Sequence, residues 1–121
     1  METVTLYRPV GPKELELIKE SGFKAFPARL PEQPIFYPVV NYEYAVQIAR
    51  DWNSDSEDNN FEGFVTKFEI KLDYISGFEI RQAGNSTHLE YWIDSTELDN
   101  FNKNISGIIE VTDSFRHKIR I

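Results

Sequence analysis

Three groups of side chains in this sequence carry chemistry that a ligand could use, and they lie far apart. They are the guanidinium of Arg8, the aromatic pair Phe36-Tyr37, and the carboxylate of Glu90 with His88 two residues before it. Sites built on one local motif are not found. The six glycines form neither a P-loop nor a G-x-G-x-x-G fingerprint, and no H-E-x-x-H occurs. With no cysteine and two histidines, neither a thiolate nor a His-rich metal site can be assembled. A Ser-His-Asp arrangement would have to use His88 or His117 with no local pattern behind it. Asp51, Asn53, Asp55 and Glu62 follow the spacing of acidic positions in a calcium-binding loop, but Ser56 stands where the sharp turn needs glycine. We read that stretch as a solvated loop.

Whatever the spaced set does, the chain must fold to bring it together. The 121 residues are 40% hydrophobic, with nine Phe, six Tyr and two Trp, enough for one domain with a real core. The first ten residues show no basic region followed by an apolar run, and nowhere do 18 apolar residues follow one another. We expect a soluble, cytoplasmic protein that does not enter a membrane. A net charge of −7 argues against nucleic acid, whose phosphates need a concentrated Lys/Arg surface, and favours a basic partner or none.

The positioning elements centre on residues 34–52, PIFYPVVNYEYAVQIARDW. Ile35, Phe36, Tyr37, Val39 and Val40 form an aromatic and β-branched run, and Pro38 makes this strand short, bulged or an edge. Asn41 is placed to cap a helix in which Ala45, Ile48, Ala49 and Trp52 make one apolar stripe. Before it, a strand over 3–7 should stop at Arg8-Pro9, and a short helix from Pro12 to Ser21 shows Leu15 and Ile18 on one face, with Gly22 as its stop. Residues 23–34, rich in proline, read as a stiff extended loop, either lining something or plugging the core with Phe23 and Phe26.

Residues 63–72 alternate as a half-buried antiparallel strand. Residues 77–82 and 86–93 read as a hairpin turned at Ala83-Gly84-Asn85, with His88, Glu90 and Trp92 sharing one face and Leu89, Tyr91 and Ile93 the other. Asp94 and Glu97 are spaced as a capping pair for a helix with Leu98, Phe101 and Ile105 on one side. Gly107 should end that unit, with a closing strand over 108–112 and an edge strand or frayed end over 114–121.

The order of arginine on a first strand, an aromatic strand leading into a helix with small residues, and a late-strand glutamate resembles the ADP-ribosyltransferase fold. Four stretches are also similar to a family of short bacterial proteins named for ADP-ribosylation and crystallin J1. They are L-Y-R-P-V-G at 6–11, F-P-x-R-x-P-E-Q-P-I-F-Y-P-V at 26–39, H-x-E-x-W at 88–92 and F-N-x-x-I-x-G-x-I-E-V at 101–111. The resemblance implies a compact single α+β domain over residues 1–121, with a split antiparallel sheet and about three helices. It implies NAD as ligand, and ADP-ribosyl transfer or NAD hydrolysis as activity.

Under that resemblance Arg8 would hold a phosphate with its planar donor fork, Phe36 and Tyr37 would line the nicotinamide pocket, and Glu90 would be the catalytic carboxylate. A hydrogen bond from the ribose 2′-hydroxyl and a cationic sugar as the nicotinamide bond breaks are what Glu90 would support. His88 stands beside the cofactor where related enzymes usually carry Glu or Gln, and 38–40 read Pro-Val-Val where arginine-dependent members have Ser-Thr-Ser, so no acceptor is implied. The other reading, from charge alone, is a catalytically silent acidic binding protein, of the inhibitor or immunity type, for a basic protein partner.

Overall fold

The computed structural model describes residues 2–84 and 88–121. β1 (Thr3–Val10) runs straight through Pro9, where the sequence had predicted its end. Tyr7 turns its N–H and its carbonyl away from the neighbouring strand, to Val39, at 2.9 and 2.7 Å. Pro9, two residues on, faces the same side, so the N–H it lacks costs no bond of the ladder.

α1 (Pro12–Glu20) opens on a proline whose missing N–H the first turn would leave unpaired anyway, and stops where Gly22 takes a φ of 78°. Leu15 and Ile18 are buried while Leu17 faces solvent. Residues 23–34 hold no regular helix or strand, and Phe26 reaches from them into the core. β2 (Ile35–Phe36) is two residues long. Pro38 interrupts the run, and Val39 rejoins only as an isolated bridge, to Tyr7 on one side and Glu90 on the other.

α2 (Tyr42–Asp51) starts as its sequence requires: the Asn41 side chain accepts from the N–H of Glu43 at 2.8 Å and of Tyr44 at 3.3 Å. Ala45 and Ala49 are fully buried, but Trp52, expected in the same stripe, is 72% exposed and Val46 packs inward instead. Trp52 sits past the last turn as the C-terminal cap residue, where the helical period no longer governs its direction. At the end of α2 Asp51 is engaged by Arg50 at 2.8 Å, and in the two short 3₁₀ turns that follow Asp55 is engaged by Lys118 at 3.6 Å.

β3 (Glu62–Lys71) pairs antiparallel with β1 from Phe64↔Val10 through Lys71↔Thr3. It is not simply half-buried. Val65 and Thr66 are both buried, on opposite faces, Val65 under α2 and Thr66 with its hydroxyl donating to the Arg8 carbonyl at 2.7 Å; at this point the register with the later strand over 105–116 shifts, Thr112 being the extra residue. A single unpredicted turn, α3 (Leu72–Ile75), leads to β4 (Ile80–Gln82) and β5 (Leu89–Tyr91), which pair as the expected hairpin. Asn85 of its predicted turn lies outside the described residues. β6 (Ile93–Asp94) pairs with β2.

Asp94 does cap, accepting from the Thr96 N–H at 2.9 Å, but Glu97 does not reach back to it. Instead Glu97 accepts from the Tyr74 hydroxyl at 2.7 Å, and a 3₁₀ turn precedes α4 (Leu98–Lys103). β7 (Ile105–Arg116) begins earlier and ends later than predicted and passes through Gly107. The tail folds back on it as β8 (Ile119–Arg120), an edge strand.

The result is an α+β fold with antiparallel sheets: four strands in the order β1-β3-β7-β8, and two separate pairs, β2-β6 and β4-β5. Four α-helices are present among the described residues, α3 being the addition to the three expected. The main core packs Phe26, Phe36, Phe68 and Phe101 with Leu6, Ile18 and Ile93, their rings meeting at tilted or edge-on angles. A second, smaller core holds Val39, Ala45, Ala49, Val65 and Phe115 beneath α2. Among the described residues no helix is long and apolar enough to cross a membrane.

Candidate functional site

Val39 is the seam between the main sheet and the β4-β5 pair, and a cavity of about 610 Å³ opens beside it. Arg8 comes to this cavity from β1, Tyr37 from the segment after β2, Tyr44, Gln47 and Ile48 from α2, and His88, Glu90 and Trp92 from β5 and its flanks. Four of the five residues singled out by sequence are therefore wall residues of one cleft. The alternation read from sequence holds for His88, Glu90 and Trp92, which face the cleft, and for Tyr91 and Ile93, which point into the core, while Leu89 is only partly buried and belongs to neither core cluster.

Glu90 is the site's buried carboxylate, 8% exposed. Burial pushes its carboxyl above the usual range, and a hydrogen bond from the Trp92 side chain together with the nearby His88 draws it only part of the way back. The same carboxylate, after burial itself, helps push the neighbouring Tyr44 hydroxyl upward. Such a group favours a ligand that brings it a hydroxyl donor or a positive charge.

His88 is fixed rather than free to swing. Its ring stacks on Tyr44 with centroids 4.2 Å apart and planes 10° from parallel. Nδ1 stands 3.1 Å from the Ala83 carbonyl and Nε2 lies 3.2 Å from Gln47 Oε1, so hairpin and helix both hold the imidazole. Across the cleft Tyr37 meets Trp92 edge-on at 5.9 Å, and Arg81 covers the Trp92 ring at 4.4 Å. The walls thus include the rings of Tyr37, Tyr44, Trp52 and Trp92, which suit a flat ligand.

Two of the expected roles are corrected here. Phe36 does not line the cleft; it is 1% exposed in the main core, packed on Phe26 and Phe101. In an alternating strand Phe36 and Tyr37 must face opposite ways, and the core took the one without a hydroxyl. Arg8 lies at the cleft but is not an open phosphate fork. Its Nε and Nη2 donate to Glu14 at 2.7 and 3.0 Å, its Nη1 to the Tyr37 carbonyl at 3.3 Å, and its face lies 4.5 Å over Phe36. Glu14, on α1, was read only as part of a helical stretch.

Tyr44, Gln47 and Trp52 are cleft residues that the sequence reading passed over. Tyr44 and Gln47 lie at i and i+3 on α2, beside the buried Ala45 and Ala49, which is the signal that could have found them. Nothing local marks Trp52, which the end of the helix delivers to the rim. Among the described residues no cluster of His, Asp and Glu is arranged to hold a metal. Exposed carboxylates are spread over many elements, with Glu16 and Glu20 on α1, Glu43 on α2, Asp73 on α3, Asp99 on α4 and Glu110 on β7.

Against known proteins, no family model, curated protein or solved structure matches this chain.

Proposed function

We propose that the cleft binds NAD, and that Glu90 is the carboxylate with which the chain hydrolyses it or transfers its ADP-ribose, in the manner of ADP-ribosyltransferase-like proteins. The observation that carries this reading is the convergence of Arg8, Tyr37 and the His88–Glu90 pair, from three stretches far apart in sequence, on one cavity of about 610 Å³ that also holds Tyr44, Trp52 and Trp92. That size suits a small-molecule ligand, for which pockets of about 300 to 1,000 Å³ are usual. Tyr37, Trp92 and Tyr44 offer faces and edges to a nicotinamide ring, and Glu90 offers an acceptor to a ribose hydroxyl.

In the reaction the bond between ribose C1′ and the nicotinamide nitrogen breaks, and its electron pair leaves with nicotinamide. The resulting cationic sugar is stabilised by Glu90 and captured by water or by an acceptor nucleophile, which gives up a proton. The test is nicotinamide release from NAD, measured by chromatography for the parent protein and for Glu90→Gln. Release that vanishes in the variant supports the reading; equal release from both, or none from either, removes Glu90 from catalysis.

A second reading rests on the net charge of −7. As an acidic inhibitor-type protein the chain would dock a basic partner through electrostatic steering. Binding that weakens steeply with salt and ignores Glu90→Gln would favour it over the enzyme.

A further inference from the structure

Trp52 is a wall residue of the cleft and is 72% exposed, more than any other large apolar side chain among the described residues. The other rings of the cleft have partners. Tyr44 is covered by His88 at 4.2 Å, and Trp92 is met by Tyr37 at 5.9 Å and by Arg81 at 4.4 Å. No ring and no cation packs on the Trp52 indole among the described residues. An indole left in water forgoes its large apolar burial, which a flat ring stacked on it restores.

The backbone beneath this indole is fixed. The Trp52 N–H donates to the Ile48 carbonyl at 3.0 Å, and the Trp52 carbonyl accepts from the Asp55 N–H at 3.3 Å. The next residue, Asn53, lies so close to β3 that a Cβ on Gly63 would stand 2.8 Å from the Asn53 Cβ. Tyr44, Ile48 and Trp52 follow one another by one turn each, and all three line the cleft. At the rise of an α-helix, Trp52 stands about 12 Å along α2 from Tyr44. The Tyr44 end carries His88, stacked on Tyr44, and Glu90, two residues on along the same face. The cleft therefore has a carboxylate end and a separate aromatic end.

We propose that Trp52 is a second aromatic subsite, the platform on which the ligand lays a flat ring distinct from the one it brings to Glu90. A single ring cannot serve both ends of a wall that long. Two rings joined by a flexible polar span can, which makes the ligand a dinucleotide rather than a mononucleotide. In the NAD reading, on which the ligand's identity rests, the ring on Trp52 is adenine and the nicotinamide lies at the Glu90 end. Stacking of this kind is tolerant of base identity, because every base has a π-face.

The test is titration of the parent protein, Trp52→Ala and Trp52→Phe with NAD, AMP and nicotinamide mononucleotide, after thermal melts have shown that each variant is folded. The chain has two tryptophans, so in a Trp92→Phe background the emission comes from Trp52 alone and reports a ring stacked on it. We expect AMP and NAD to quench that emission, Trp52→Ala to weaken both by about tenfold, and Trp52→Phe to recover part of the loss. Nicotinamide mononucleotide, which has no adenine, should bind the parent and Trp52→Ala alike. An equal loss for nicotinamide mononucleotide would overturn the subsite, because Trp52 would then act on the whole cleft. NAD and AMP binding equally to the parent and to Trp52→Ala would overturn it and leave the NAD reading standing. AMP binding that needs Trp52, with no binding of nicotinamide mononucleotide and no gain for NAD over AMP, would support the ring platform and overturn the NAD reading. Absence of both NAD and AMP binding at millimolar concentration would overturn both.

Discussion

Glu14 and Arg8 form a two-point ion pair, Oε2 to Nε at 2.7 Å and Oε1 to Nη2 at 3.0 Å, that ties α1 to β1 at the edge of the cleft. A fork-to-fork pair with little exposure is held by geometry as well as charge. Glu14→Gln keeps the shape and removes one charge. We expect it to lower stability by about 2 kcal/mol in urea unfolding, the scale of a hydrogen bond to a charged group. A stability within error of the parent would mean that the pair does not hold α1 in place.

Glu90 makes the pH dependence of folding testable. Its carboxyl is pushed above the ordinary range by burial, so the folded chain keeps a proton that the unfolded chain has already released. Stability from this group is therefore full below the ordinary glutamate value of about 4.3 and falls as pH rises through the raised one. Glu90→Gln removes the penalty. We expect the variant to melt a few degrees above the parent at neutral pH and level with it at acid pH. A variant that melts lower at neutral pH would show that the charged Glu90 stabilises the fold.

Phe36 separates a core role from a ligand role. Phe36→Ala should cost about 3 to 5 kcal/mol, as removal of a buried ring from a packed aromatic cluster does. Tyr37→Ala, by contrast, removes a ring that is already partly exposed, and should cost little stability while weakening the ligand. If the two variants exchange these effects in thermal melts and titrations, the assignment of the two faces is wrong.

Gly63 sets how closely α2 can approach β3. A Cβ there would stand 2.2 Å from the Ala49 carbonyl oxygen, a backbone atom with no freedom to move aside. Gly63→Ala should destabilise by about 1 to 3 kcal/mol through overpacking. Because the same helix carries Tyr44 and Gln47, ligand binding should weaken together with stability. Unchanged denaturation midpoints would contradict the close approach.

Much of the fold was legible because local rules and burial agreed. Asn41 caps α2, Leu15 and Ile18 face inward on α1, and the alternation of residues 88–93 put Glu90 and Trp92 on the cleft side. The misses arise where the deciding contact is remote in sequence. Pro9 does not end β1 because Val39, thirty residues away, sets which side of the strand needs donors. The α4–β7 boundary fell early because β7 pairs along β3, and no residue near Gly107 carries that information. Arg8 was read as an open fork because nothing in the spacing of Glu14 says that it turns to meet it.

The most direct test of the site is isothermal titration of the purified protein with NAD, set beside Tyr37→Ala and Glu90→Gln. If the cleft is the NAD site, the parent should show saturable binding with one ligand per chain, and both variants should weaken it by about tenfold, the loss of roughly 1.4 kcal/mol each. No heat at millimolar NAD, or binding indifferent to both substitutions, would contradict it.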